Sequence, residues 1–398
     1  MEKNDWYAYL MRDVLERIEV PVNVEPDKEY VQIGIRSHGR GLFYKEPVLG
    51  KALGNKQVFW IQPNCFILNV VFAWEQAVTK TTENEIGMIG SHRFPMYRPK
   101  NDLVDIDYLI YYFLTKRGTD ILEAASPGGA GRNRTLGQER FLKSKITLPP
   151  LPEQQKIAAI LSTQDKVIEL KEKLLAQKQQ QKKYLMQQLL TGKRRLPGFG
   201  GEWKTIHLNE ISCRIETKNT VGNNNVLTIS AQYGLINQTE FFDKVIASDD
   251  KSNYYLLSKD EFAYNRSYSK GYPYGTIKRL KRYVQGVVSP LYICFAVNKK
   301  LASLDFLEQY FEASIINREI QSIVQEGARN HGMLNVAVDD FFRIKITMPE
   351  IEEQKEIAKI LSTADHEIDL LQKSIEAEKQ KKKALMQLLL TGKVSVRI

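Results

Sequence analysis

Residues 160–193 read ILSTQDKVIELKEKLLAQKQQQKKYLMQQLLTGK, and residues 360–393 read ILSTADHEIDLLQKSIEAEKQKKKALMQLLLTGK. Extended back to 146 and 346, the two stretches share 26 identities in 48 positions without a gap. Unrelated sequences of average composition would share about three. This is a tandem duplication, and it sets the architecture before any local reading. In each copy apolar residues recur at helical spacing: Ile157, Ile160, Leu161, Ile168, Leu175, Leu185 and Leu189, then Ile357, Ile360, Leu361, Ile368, Ile375, Leu385 and Leu389. Prolines precede each run, Pro152 suits a first helical turn, and Glu153 favours the helix dipole there. Gly192 and Gly392 close the runs. A helix of about 40 residues is about 60 Å long. Its apolar stripe needs cover, and the simplest cover is the other copy, running antiparallel. The polar run AQKQQQKK (176–183) is ordinarily a solvated face; as a spacer its length would matter more than its identity.

Upstream the duplication persists as landmarks. Asp5-Trp6 and Glu202-Trp203 open the halves. YVQIG (30–34) parallels VLTIS (226–230), CFILN (65–69) parallels EFAYN (261–265), and GMIGS (87–91) parallels GVVSP (286–290). DIDYLIYYF (105–113) and SLDFLEQYF (303–311) predict one helix per domain, over about 105–117 and 303–325. Short β-branched and aromatic runs between Gly, Asn and Asp turns predict strands elsewhere. The expected fold is α+β: two mixed α/β domains separated by two long antiparallel, coiled-coil helices, with a pseudo-twofold tandem repeat. The expected boundaries are 1–148 for the first domain, 149–193 for the central helix, 194–348 for the second domain, and 349–398 for the distal helix and tail.

The chain has 398 residues, of which 43% are hydrophobic and 26% charged, a composition of folded domains and too long for one typical core. No run of about 18 apolar residues spans a membrane. The amino-terminal segment lacks the apolar core of a secretory signal. Cys65, Cys213 and Cys294 are far apart in sequence and read as reduced thiols of a cytoplasmic protein. The formal net charge of +10 favours polyanionic partners.

The sharpest basic stretch is FAYNRSYSKGYPYGTIKRLKRY (262–283), with Arg266, Lys270 and Lys278 interleaved with Tyr268, Tyr272 and Tyr274. Cations neutralise phosphates, and tyrosine offers a hydroxyl and a flat face. Alternating tyrosines in a strand also serve plain packing. The first domain offers SHRFPMYRPK (91–100) instead, with His92, Arg93, Tyr97, Arg98 and Lys100. Two Gly-rich basic loops add Arg132, Asn133 and Arg134, then Arg329, Asn330 and His331. Arg and Asn at such positions suit guanine and adenine edges; Gly-rich loops are also simply turns. His38, Arg40, Gln232 and Tyr233 complete the candidate DNA contacts.

Catalytic patterns are missing. There is no GxxxxGK[ST] loop, no HExxH, no paired-cysteine metal spacing, and no [DN]PP[YF] tetrapeptide of amino-methyltransferases. No catalytic, cofactor or metal residue is assigned.

Two variable domains, each ending in P-x3-EQ…ILS-x-x-D…LMQ-x-LLTGK, resemble the specificity (HsdS) subunits of type I restriction–modification systems. RRLPGFGGEW (194–203) also resembles that family's entry to its second recognition domain. The resemblance spans essentially the whole chain, although the first domain lacks the Pro-Gly-Phe lead-in. It implies a non-catalytic subunit whose target recognition domains each read half of a bipartite, asymmetric site in double-stranded DNA. It implies helices that dock two modification subunits, with restriction/translocase subunits in the full complex. S-adenosylmethionine would belong to the methyltransferase, which modifies adenine N6, and ATP and Mg to the restriction subunit. On the matching residues, the docking candidates are Glu153, Gln154, Ser162, Asp165, Met186 and Lys193, and again Glu353, Gln354, Ser362, Asp365, Met386 and Lys393. Other readings stay open: another bipartite DNA binder, such as a regulator or a type II-like specificity subunit, an enzyme with an unrecognised site, or a coiled-coil tether for proteins.

Overall fold

The computed structural model describes residues 6–128, 134–230, 233–241, 250–268, 271–325 and 333–396. The chain forms two compact units, Met1–Glu172 with Lys373–Ile398, and Lys173–Gln372. Each long helix is therefore shared. The helices span Leu151–Leu189 and Ile351–Leu389.

The duplicated landmarks fold alike. In the first unit an antiparallel four-stranded sheet has the order Leu15–Ile18, Met96–Pro99, Phe66–Leu68, Val78–Lys80. In the second the order is Ser212–Ile215, Ile293–Val297, Phe262–Asn265, Thr276–Arg279. A two-stranded ribbon closes each domain at the foot of its helix. Tyr7–Leu10 pairs with Lys145–Leu148, and Lys204–His207 with Lys345–Met348. The entering and leaving chain thus meet where each long helix begins.

The predicted single helix per domain is two. Ile106–Phe113 is followed by Lys116–Ala125, and Leu304–Glu312 by Asn317–Ile323. In the first domain Thr115 caps the second helix, its hydroxyl accepting from the Gly118 amide. Gly118 is required there, because a Cβ would lie 2.3 Å from the Tyr112 carbonyl oxygen.

Each core takes in the start of one long helix and the end of the other. Around Phe66, Tyr97, Phe113 and Phe141 the first core buries Ile157 and Leu161 together with Leu389 and Leu390. The second core buries Ile357 and Leu361 with Met186, Leu189 and Leu190 around Phe262, Phe295 and Phe341. The helix segments therefore pack antiparallel within each unit. At the helix ends Gly192 and Gly392 both adopt φ +69°, as the sequence required. Gly192 also lies against the Trp203 ring, which a Cβ would meet at 3.3 Å. Among the described residues no helix is long and apolar enough to cross a membrane.

Candidate nucleic-acid interface and docking helices

In the first domain the tip between Ile33–Ile35 and Leu42–Tyr44 is pinned by its backbone. The amides of His38 and Gly39 donate to the carbonyls of Glu75 and Gln76, at 2.8 and 2.9 Å. His38 and Arg40 point outward and are exposed. His92 and Arg93 are exposed on the turn after Ile89–Ser91. On Met96–Pro99 the two-residue period separates Tyr97 from Arg98. Arg98 and the following Lys100 are exposed, whereas Tyr97 is fully buried between Phe66 and Phe141. Tyr97 is thus a core residue, with no ring face left for a base. Arg134 is partly occupied, its guanidinium 5.5 Å from the centre of the Trp74 ring.

A cavity of about 500 Å³ opens beside this surface, lined by Lys45, Lys56, Gln57, Asn69, His92 and Arg93 among others. Sequence reasoning found only the last two. Lys45 lies on one loop and the adjacent Lys56 and Gln57 on another, with no shared local pattern; Asn69 was visible only as the last residue of a repeated landmark.

In the second domain the basic stretch is largely neutralised by its own fold. Arg266 donates from Nε and Nη2 to the Leu291 carbonyl and from Nη1 to the Val336 carbonyl, so it pins backbone. Lys278 pairs with Glu312, which also accepts the Tyr272 hydroxyl at 2.7 Å. Burial, then this carboxylate, pushes the Tyr272 phenol above its ordinary range. Tyr274 packs on the core, and its carbonyl accepts the Tyr264 hydroxyl. Arg279 is buried against Asp305 and Glu308, Lys281 meets Glu308, and Arg282 meets Glu240. Arg266, Tyr272, Tyr274 and Lys278 are therefore engaged within the domain's own fold. The carboxylates responsible stand mainly on Leu304–Glu312, too far along the chain for local charge to reveal. Tyr233 and Tyr268 do face outward, at 61% and 63% exposure. Arg132, Asn133, Gln232, Lys270, Arg329, Asn330 and His331 lie outside the described residues.

The cysteines fit the thiol reading. Cys65 and Cys294 are buried and Cys213 exposed, all unpaired. Burial pushes the Cys294 thiol up to about 12.

Most of the predicted docking residues turn inward. Gln154 is fully buried: Nε2 donates to the carbonyls of Leu103 and Pro149, and Oε1 accepts from the Asp105 amide. Gln354 repeats this with Pro349 and the Ser303 amide. Each glutamine locks its helix onto the domain helix that ends the sheet layer. Glu353 is buried and held bidentate by Arg195, at 2.8 and 2.7 Å. Glu153 is buried beside the Val396 amide.

Asp165 accepts the Tyr111 hydroxyl at 2.8 Å and pairs with Lys382 of the other helix. Asp365 accepts the Gln309 amide at 2.7 Å and pairs with Lys182. These two ties are the same device, displaced by 200 residues. Met186 is buried in the second core, and Met386 packs on the first. Glu153, Gln154, Met186, Glu353 and Gln354 are thus buried internal ties, whereas Asp165, Asp365 and Met386 are tied internally but keep part of their surface in solvent. Ser162, Lys193, Ser362 and Lys393 remain exposed. Sequence reasoning missed Leu170 and Leu370, equivalent positions with 53% and 52% exposure on otherwise unremarked helix faces. Their signal was apolar identity at one register in both copies.

A family model described as type I restriction modification DNA specificity domain matches residues 25–179 and again 202–379. The type I restriction enzyme MjaVIII specificity subunit of Methanocaldococcus jannaschii is 27% identical over 335 residues, 75% of this chain and 72% of that protein. The HsdS subunit of Thermoanaerobacter tengcongensis has a similar fold, with TM-score 0.56 and 17% identity over 99% of this chain and 98% of that one. The type I system S subunit of M. genitalium is similar at TM-score 0.55 and 13% identity, over 98% and 97%. With both halves matched, the duplicated helices and the paired domains have one reading: the chain belongs to the type I restriction–modification DNA specificity family.

Proposed function

We propose that this chain is the DNA-reading, non-catalytic subunit of a type I restriction–modification assembly. Each domain reads one half of a bipartite, asymmetric site. The helices carry two copies of an adenine-N6 methyltransferase subunit and set the gap between the half-sites. S-adenosylmethionine belongs to that partner, and ATP with Mg to the restriction subunit. The observation that carries the reading is the contrast within the duplication. The glutamine ties of Gln154 and Gln354 and the ion pairs Asp165–Lys382 and Asp365–Lys182 recur in both copies, while the exposed loops of the two domains differ, which suits identical partners and different half-sites. Leu170 and Leu370 are the best-placed anchors for those partners, since they are half-exposed leucines at equivalent positions of the two helices.

The test is co-expression with the candidate methyltransferase subunit, followed by mapping of N6-methyladenine in exposed DNA. Two fixed half-motifs at constant spacing are expected. Methylation without a two-part motif, or no co-purification, overturns the reading.

A further inference from the structure

Asn69 and Asn265 occupy one place in the duplicated fold, the carboxyl end of an inner strand of the four-stranded sheet. Their side chains are set identically. Oδ1 of Asn69 accepts from the Val71 amide at 3.1 Å, and Oδ1 of Asn265 from the Ser267 amide at 3.0 Å. A backbone donor two residues on decides which way the amide faces, so Nδ2 is aimed and not free to exchange with Oδ1. Asn69 is only 8% exposed, yet its Nδ2 has no partner among the described residues. It lines the cavity described above, whose lining includes Lys45, Lys56 and Arg93 and contains no carboxylate. The cavity therefore sets these cations beside an aimed amide donor on a buried side chain whose own acceptor is engaged. A ligand edge made of acceptors matches it, and in the major groove guanine presents two, N7 and O6, where adenine presents a donor beside N7.

We propose that Asn69 is a specificity-determining residue of the first domain, its Nδ2 donating to the acceptor edge of a guanine in the first half-site. The assignment rests on the chain being a two-domain DNA reader. N69D tests it, because the aspartate keeps an oxygen for the Val71 amide and replaces only the donor. The full chain and N69D are each used to select from random double-stranded DNA.

The wild-type motif should have two parts, with a guanine in one half that N69D loses, preference for it falling about tenfold or more, while the other half is unchanged. With the wild-type protein, 7-deazaguanine at that position should weaken binding about tenfold; with N69D it should change little. A wild-type pool without a two-part motif overturns the proposed function itself. A two-part motif that is identical for N69D, or wild-type binding indifferent to 7-deazaguanine at every selected guanine, overturns the assignment to Asn69. If N69D does not fold, N69A takes its place in the same two comparisons, with the same expected and overturning results.

Discussion

At the residue scale, the most informative positions are those whose preservation between the copies has a chemical reason. Gln154 and Gln354 each satisfy buried backbone groups at a helix foot, where water is excluded. Gln154→Ala strands the Asp105 amide and two carbonyls, so a loss of about 2–4 kcal/mol is expected in the denaturant midpoint analysis. Ser162→Ala, exposed and bonded only to its own helix, should stay within about 0.5 kcal/mol of wild type. Arg195 is the partner of a buried carboxylate, Glu353. Arg195→Met should lower the urea unfolding midpoint, because it leaves the buried Glu353 carboxylate unpaired. Arg195→Met combined with Glu353→Leu should recover a large part of the loss.

At the scale of elements, the antiparallel helix segments are laced by ion pairs that sit at the surface. Asp165–Lys382 and Asp365–Lys182 are partly exposed, so a double-mutant cycle on either should return at most about 1 kcal/mol. Glu378 is held below the usual glutamate range by hydrogen bonds from Lys171 and then Gln164. A depressed carboxylate contributes stability above its unfolded pKa, near 4.5, and loses it as pH falls through the lower folded value. Glu378→Gln should therefore narrow the stability difference between pH 7 and pH 3, measured by thermal unfolding at both. The helices themselves were legible because their 3.6-residue period and terminal glycines are local signals. The break between the paired domain helices was not, since Gly118 is needed by a contact with the Tyr112 backbone rather than by the helix period.

At the scale of the whole molecule, the lacing constrains how a spacer is lengthened. In the first unit the ties are 165–382 and 172–379; in the second they are 178–367 and 182–365. A seven-residue insertion in the first helix alone puts one set out of register. Insertions of two helical turns at both 173–177 and 368–378 keep both sets. The matched variant should lengthen the unread gap of the methylation motif while leaving both halves intact, as read by N6-methyladenine mapping. An unchanged gap would show that the helices are not the ruler. Leu170→Asp and Leu370→Asp should each weaken capture of the methyltransferase subunit about tenfold or more in a pull-down titration, with the unfolding midpoint unmoved.

The sequence by itself determined the duplication, the two long helices with their glycine stops, and the family resemblance. All of these rest on identity and period, which a chain carries without folding. His38, Arg40, His92 and Arg93, named from sequence as DNA contacts, stand exposed on turns. The sequence could not tell a free cation from a spent one. Lys278 reads as basic until Glu312, 34 residues away, closes on it, and Arg266 reads as a phosphate ligand until two carbonyls take its guanidinium. Tyr97 and Tyr268 look alike in sequence, yet one is sealed in an aromatic core and the other stands in solvent. Only the tertiary structure decided these, because pairing and burial depend on which distant segments meet. The same holds for the repeated motif: its preserved glutamines and aspartates are engaged internally, while its Ser162, Lys193, Ser362 and Lys393 stay in solvent.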